Sequence, residues 1–525
     1  MNKKALFLII IFSQFFTACP TAPKVDSSSL IPAGLHPKGL YGNYYQIFVG
    51  SFYDSDGDGI GDLRGIIEKL DYLNDGNPDS VTSLNIDGIW LLPIHPAGTY
   101  HKYDVRDYKA IDPSYGTMKD FDDLIAECEK RGIRLIIDLV VNHTSSGHPW
   151  FVEARRGNSS YMRYYNISGT KHDRTWHNFG STGLFFEGVF WNQMPDLNWN
   201  NRAVKREFQE IADFWLRKGV AGFRLDAVKH IYEKNNAKNI EWLRWFTNYC
   251  KSQKADVYIV TEVWDSERII SNYYESGVPS NFNFRAQSRE LPSAVKNNTP
   301  GEEFAEYVVN WNRQIKSVNS HAIDAPFLTN HDIDRFAVIL GADADNTKLK
   351  MGASLLFFMP GNPFIYYGEE LGMTGDLPPD ENVRGPMIWS RTTAKGQTSG
   401  PRNNNKPYWN DSSVEEQLVQ RDSILRFYID AVKLKNRYPQ IHWGVPSLIS
   451  TASGAAISAY KITGRETETE IAVVHNLSNS SHTVTITGAA SLGGTITASG
   501  GSAQRPVLNG DTLTIPAFTT AIIEF

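Results

Sequence analysis

Residues 222–230 read GFRLDAVKH. The apolar run Val220–Leu225 predicts a buried strand that ends in a carboxylate, Asp226, among the cations Arg224 and Lys229 and the neighbouring His230. A carboxylate at the C-terminal end of a barrel-type strand stands where catalytic groups collect, not where a core needs charge. Arg224 projects to the same side of the strand as Asp226, because side chains alternate with period two. Its charge is expected to hold Asp226 ionised at neutral pH, as a nucleophile requires. Taken alone, the nonapeptide also fits a solvated salt bridge at a strand end, so the rest of the chain has to decide.

Outward from this stretch, short apolar runs alternate with helical patterns, the signature of a parallel sheet built from βα units. Strands are predicted at Tyr45–Val49, Gly88–Leu92, Arg134–Val141, Val220–Leu225, Val257–Thr261, Asn281–Phe284, Pro326–Thr329 and Phe364–Tyr367. Helical patterns such as Phe121–Arg131, Ala203–Lys218 and Ile240–Lys251 lie between them. Eight such runs suit an α/β fold of the (β/α)8 TIM-barrel type, spanning 38–141 and 200–440. The stretch 142–199 is rich in Gly, Asn, His and aromatics, and loops of that length are functional or form small domains. It is read as an inserted subdomain. After residue 440 the texture changes to SHTVTITGAA, GTITASG and DTLTIPAFTTAIIEF, which predicts a C-terminal antiparallel β-sandwich over 441–525.

A chain of 525 residues accommodates a barrel with an insertion and a small extra domain. The net charge of −6, with no basic run, gives no reason to expect a nucleic-acid partner. A monomer is expected. Lys3 and Lys4 precede the apolar stretch Ala5–Phe16, too short for a permanent membrane span, and then Thr17-Ala18-Cys19. Small residues directly before a cysteine resemble the lipobox of bacterial lipoproteins, in which that cysteine, here Cys19, is lipidated. Residues 1–19 are therefore read as a signal for export and 20–37 as a tether. The expected location is the cell envelope through a lipid anchor, or outside the cell. Cys128 and Cys250 lie far apart on predicted helices and are expected to be free.

Polar clusters recur at the strand ends. Strand three ends in DLVVNHT with Asp138, Asn142 and His143; strand four ends in Asp226; strand five runs into VTEVW with Glu262; strand seven ends in FLTNHDIDR with His331, Asp332 and Arg335. One such residue alone is commonly a cap or a surface charge, but four clusters at one barrel mouth converge on a site. Three carboxylates there would repel, so at least one should hold a proton at neutral pH. An ionised carboxylate and a protonated carboxyl either side of a bond are what glycoside hydrolysis needs.

From about residue 38 onward the chain resembles the α-amylase family, family 13 of the glycoside hydrolases, through DLVVNHT, MPDLN (194–198), GFRLDAVKH, TEVW and TNHD. The resemblance implies Asp226 as nucleophile, Glu262 as general acid/base and Asp332 as transition-state stabiliser. It implies His143, Arg224 and His331 around the sugar at the cleavage position, Tyr103 as its stacking platform, and a covalent glycosyl-enzyme with retention. MPDLN resembles the subgroup intermediate between α-amylases and oligo-1,6-glucosidases. Lys229-His230 resembles the pair with which α-amylases hold sugar on the leaving-group side. Exo-acting α-glucosidases fix the chain end with an aspartate where this sequence has Tyr100. The expected activity is therefore endo-hydrolysis of α-1,4-glucans. ENVRGPMIW (381–389) resembles an element of the α-glucosidase-like branch, which keeps α-glucosidase, oligo-1,6-glucosidase or cyclomaltodextrinase-like action open. A non-catalytic, glycan-binding surface lipoprotein on the same barrel would be expected to lack one of the three carboxylates, and all three are present.

DSDGDGIGD (54–62) places Asp54, Asp56, Asp58 and Asp62 around glycines, a pattern of hard oxygen donors suited to structural Ca²⁺. It is not an EF-hand, since the twelfth position is Gly65. The resemblance adds the Ile60 carbonyl to this ligand set. It also implies a second Ca²⁺ site from Asn142, Asp196 and the carbonyl of His230.

Overall fold

A computed structural model describes residues 39–297, 299–404, 412–449, 456–466, 468–499 and 504–525. The signal, the tether and Cys19 lie outside the described residues.

Eight parallel strands form one sheet: β1 Tyr44–Ile47, β2 Gly88–Leu91, β3 Arg134–Val140, β4 Gly222–Asp226, β5 Tyr258–Thr261, β6 Ser280–Phe282, β7 Ile323–Ala325 and β8 Phe364–Tyr366. The order is β7-β6-β5-β4-β3-β2-β1-β8, and a parallel bridge between Phe327 and Phe364 joins the two ends. This is a (β/α)8 barrel. Aromatic rings fill its interior: Tyr44 stacks between Tyr258 and Phe364, each 4.9 Å away, and Trp90 lies 5.3 Å from Phe282. Gly88 is required by this packing, since a Cβ there would stand 2.3 Å from the Tyr44 ring. The outer helices carry their apolar stripes inward. Arg202–Arg217, for example, buries Val204, Phe208, Ile211 and Trp215 and is capped by Asn201, whose side chain accepts from the Ala203 N–H.

Strand seven differs from expectation. It occupies 323–325, not Pro326–Thr329, because Asp324 is buried inside it, accepting from Trp311 Nε1 at 2.8 Å and Asn283 Nδ2 at 3.0 Å. Such a satisfied carboxylate breaks the apolar pattern without breaking the strand. Pro326 has no N–H to donate and ends the ladder.

Between β3 and the 202–217 helix, two short helices and a three-stranded antiparallel sheet (Ile167–Ser168, Trp176–Asn178, Phe185–Glu187) form a small subdomain. Backbone pairing of His143 with Asp196, and Trp199 Nε1 donating to the Val141 carbonyl at 2.9 Å, tie it to the barrel mouth.

From Val445 the chain forms a five-stranded antiparallel sheet facing a three-stranded one. In the strand Ile471–Asn476, Ala472 and Val474 join the core between these sheets. Ile471 and Val473 join the barrel core instead, so the period-two alternation serves two apolar interiors. Cys128 and Cys250 are free and buried on their helices.

Candidate active site

The strands place their polar side chains by register. Arg224 stands directly across from Asp138 on β3, and Asp226 follows two residues later on the same side. The buried Arg224 guanidinium is the hub. Its Nη1 donates to both oxygens of Asp138 at 2.9 Å and to Asp226 Oδ1 at 2.7 Å, and its Nη2 lies 2.8 Å from Glu262 Oε2. Three carboxylates from β3, β4 and the end of β5 therefore share one cation. Ala227, just after Asp226, takes a left-handed conformation (φ +50°), and its N–H donates to Glu262 Oε2 at 3.0 Å.

Asp332 approaches from the segment after β7. Arg384 Nη2 donates to its Oδ1 at 2.9 Å, and His331 Nε2 lies 3.1 Å from its Oδ2. The Tyr103 ring stacks on His331 at 5.5 Å and 9°, and its hydroxyl donates to Asp138 Oδ2 at 3.1 Å. Gln46 Nε2 donates to His331 Nδ1 at 2.8 Å, which leaves the ring proton on Nε2, where the Tyr103 hydroxyl oxygen accepts it at 2.5 Å. His143 lines the same cavity, and its Nε2 is buried without a hydrogen-bond partner among the described residues. Asp226, Glu262, Asp332, Tyr103 and His143 thus open onto one cavity of about 460 Å³.

Burial acts first on these acids. It pushes Asp226 up to about 7, helped by Asp138 and Asp332 and opposed by Arg224. It pushes Glu262 up to about 7 as well, again against Arg224 and with Asp226 and Asp332 adding to the rise. The expectation that Arg224 keeps Asp226 well ionised is corrected here: its charge is divided among three carboxylates, so Asp226 and Glu262 compete for a proton near neutrality. Burial would raise Asp332 too, but His331, Arg384 and Arg224 outweigh it and hold the carboxyl below its ordinary range. Burial pushes His331 itself down to about 3, so it is neutral at pH 7 and Arg384 is the lasting adjacent cation. The site holds one firmly ionised carboxylate, Asp332, and a pair that shares a proton, with Asp138 behind them on Arg224 and raised by burial to about 6.

Residues 46–444 match the family described as "Alpha amylase, catalytic domain". The chain belongs to the α-amylase family. It is 41% identical to Alpha-amylase 3 of Dictyoglomus thermophilum, over 84% of this chain and 85% of that protein. It is 30% identical to an oligo-1,6-glucosidase of Parageobacillus thermoglucosidasius, over 77% of this chain and 84% of that protein. The crystal structure of an α-amylase from H. orenii superposes with a TM-score of 0.83 at 39% identity, covering 92% of this chain and 99% of that one. The protein is an amylase-type glycoside hydrolase.

Lys229 and His230, expected on the leaving-group side, each have a carboxylate partner. Lys229 Nζ donates to the Trp264 carbonyl at 2.9 Å and pairs with Asp265 at 2.8 Å, and His230 Nδ1 lies 2.6 Å from Glu233 Oε2. Neither lines the catalytic cavity. Sequence reasoning missed several residues that do: Phe190, Trp191 and Trp264, all about half-exposed, and Asp380 with Arg384. The RGPMIW motif was the available signal for Arg384. Nothing local marked Gln46, a buried polar residue on β1.

In the acidic loop, carboxylate oxygens of Asp54, Asp56 and Asp58 converge within 4.8 Å of one another, a donor set that fits a hard cation. Asp62 stands outside this trio. Its oxygens accept from Ser55 N and from Gly65 N at 2.8 Å, capping the helix Leu63–Glu68. The Ile60 N–H donates to Asp58 Oδ1 at 2.7 Å. Of the second set, Asn142 Nδ2 donates to Asp196 Oδ1 at 3.0 Å, while Asn142 Oδ1 is buried without a partner among the described residues. That orphan oxygen fits a cation beside Asp196, whose carboxyl is raised well above its ordinary value by burial and then by Glu187.

Proposed function

We propose that this enzyme is a retaining, endo-acting α-amylase that hydrolyses α-1,4-glucosidic bonds of starch, glycogen and maltooligosaccharides. One observation carries the hydrolase reading: Asp226, Glu262 and Asp332 open onto one cavity, with a single guanidinium touching both Asp226 and Glu262, and the resemblance to the family supports retention. In this reading Asp226 attacks the anomeric carbon as Glu262 protonates the departing glycosidic oxygen, giving a covalent glycosyl-enzyme. Glu262, now ionised, then takes a proton from water, whose oxygen displaces Asp226. Asp332 faces the positive charge that develops on the sugar ring, and Tyr103 with His331 and His143 positions it.

Tyr100, where exo-acting relatives carry a chain-end aspartate, supports endo action. A carboxylate nonetheless stands nearby, since Tyr100 donates to Asp380 at 2.6 Å, and this favours α-glucosidase action as the second reading. Starch viscosity separates the two. Endo action lowers it well before reducing sugar accumulates, whereas glucose released alone from chain ends would move the assignment to α-glucosidase. Products formed from pullulan and isomaltose test the α-1,6 and cyclomaltodextrinase-like alternatives.

Ca²⁺ held by Asp54, Asp56 and Asp58 is a structural ion that neutralises the loop after β1. The N-terminal segment exports the enzyme, with Cys19 as its lipid anchor; this suits digestion of a polymer outside the cell.

A further inference from the structure

Gln46 is an amide in a barrel interior packed with aromatic rings. It shares one face of β1 with Tyr44, which stacks between Tyr258 and Phe364, and it is only 1% exposed. Backbone pairing with Trp90 on β2 and Tyr366 on β8 fixes where its side chain points, one layer nearer the mouth than Tyr44. An amide buried there costs free energy unless it is hydrogen-bonded. Its partner is His331 Nδ1 at 2.8 Å. Gln46 does not line the catalytic cavity, so what it contributes to the chemistry passes through that ring.

Neutral imidazole carries one ring proton, and the neighbours of His331 decide which nitrogen has it. Nε2 faces the Tyr103 hydroxyl at 2.5 Å and Oδ2 of the ionised Asp332 at 3.1 Å. Asp332 can only accept. Tyr103 has a single proton, given to Asp138 Oδ2 at 3.1 Å, while its oxygen also accepts from Arg224 Nη1 at 3.2 Å. A proton on Nδ1 would therefore set the Nε2 lone pair against a carboxylate, or turn Tyr103 away from Asp138. The proton belongs on Nε2, and Nδ1 then requires a donor. The titratable and charged groups facing the ring are Tyr103 and His101 from the segment after β2, Arg224 from β4, Asp332 from its own segment and Arg384 from beyond β8. The donor to Nδ1 is the uncharged amide of Gln46, from β1.

We propose that Gln46 is a positioning residue for hydrolysis: it locks His331 as the neutral ring protonated on Nε2, and thereby orients Asp332 and Tyr103 towards the sugar. The kinetic half of the test rests on the α-glucan reading above, and the spectroscopic half needs no substrate.

Two variants of similar length separate the donor from its bulk. Gln46→Met cannot donate. Gln46→Glu donates to Nδ1 only while the pair holds an extra proton; once that proton leaves, the carboxylate takes Nδ1–H and Nε2 is left bare towards Asp332. In enzyme labelled with 15N-histidine, the His331 resonances are identified by their loss in His331→Asn. Wild type should be protonated on Nε2 alone from about pH 5 to about pH 8. Gln46→Met should show both tautomers and lose about ten-fold or more in kcat on maltoheptaose, with KM within about two-fold of wild type. For Gln46→Glu, kcat relative to wild type should be highest near the acid end of that range and fall as pH rises and the extra proton leaves. Lost packing alone would move neither the tautomer nor this pH dependence. A wild-type ring protonated on Nδ1 or on both nitrogens, a Gln46→Met enzyme with wild-type kcat, or a Gln46→Glu enzyme whose ratio to wild type ignores pH would each overturn the proposal. A wild-type enzyme inert on maltoheptaose would instead sink the α-glucan reading, with the resonances still deciding the tautomer.

Discussion

Replacing Asp226 by Asn should remove turnover and, at the same time, stabilise the enzyme in a pH-dependent way. The amide keeps an oxygen for Arg224 Nη1, now 2.7 Å from Asp226 Oδ1, but cannot form a glycosyl-enzyme. The loss in kcat should be at least about 10⁴-fold. The stability effect follows from burial, which raises the folded-state carboxyl to about 7. In the unfolded chain an aspartate titrates near 3.9. Between these values the folded wild type binds more protons than the unfolded chain, so its stability falls as pH rises through the window and then levels off. A shift of that size corresponds to at most roughly 4 kcal/mol above pH 7. Because Glu262 shares the proton, about half of that is a sounder expectation. For a protein of this size it amounts to about 2 °C in midpoint. Melting curves of both proteins at pH 5 to 8, at one scan rate, read this directly. The variant's advantage should be about a third of its full size near pH 5 and close to full by pH 8. A variant that melts below wild type throughout, or an advantage independent of pH, would refute the account of Asp226 as a buried acid in competition with Glu262.

Glu262→Gln should be similarly impaired on starch, yet much less so on a glucoside with an activated leaving group that needs little protonation; equal losses on both would argue against Glu262 as the acid. Arg384→Met leaves Asp332 without its lasting cation, so kcat/KM should drop about 10²-fold, and the acidic limb of the pH profile, which the Asp226–Glu262 pair sets in wild type, should steepen and move to higher pH as Asp332 comes to titrate alongside them. A loss without that displacement would reduce Arg384 to a packing residue. Asp56→Ala with Asp58→Ala should lower the melting temperature and blunt its rise with free Ca²⁺ after chelation and re-addition, leaving kcat at low temperature little changed. A large kcat loss with no stability loss would show that the 54–62 loop has been misread.

The residues legible in sequence were those whose signal is local. Asp226, Glu262 and Asp332 each follow an apolar run, and a parallel barrel brings all such strand ends to one face. In the acidic loop the convergence of Asp54, Asp56 and Asp58 was legible, because their oxygens alternate over five residues and need only a turn to meet, whereas the helix-capping place of Asp62 was not. Register and sharing were not. Strand seven hides a charged residue, Asp324, whose partners Trp311 and Asn283 are known only once the chain is folded. A period-two pattern likewise does not say which interior each face of the C-terminal sheet covers. Gln46 reaches His331 across 285 residues and Arg384 reaches Asp332 across 52, from β1 and from beyond β8, and the folded barrel makes them neighbours. Sequence placed a cation two residues before a carboxylate. Only the tertiary structure decided that this cation would serve three acids in a buried site, and so how the proton is divided among them.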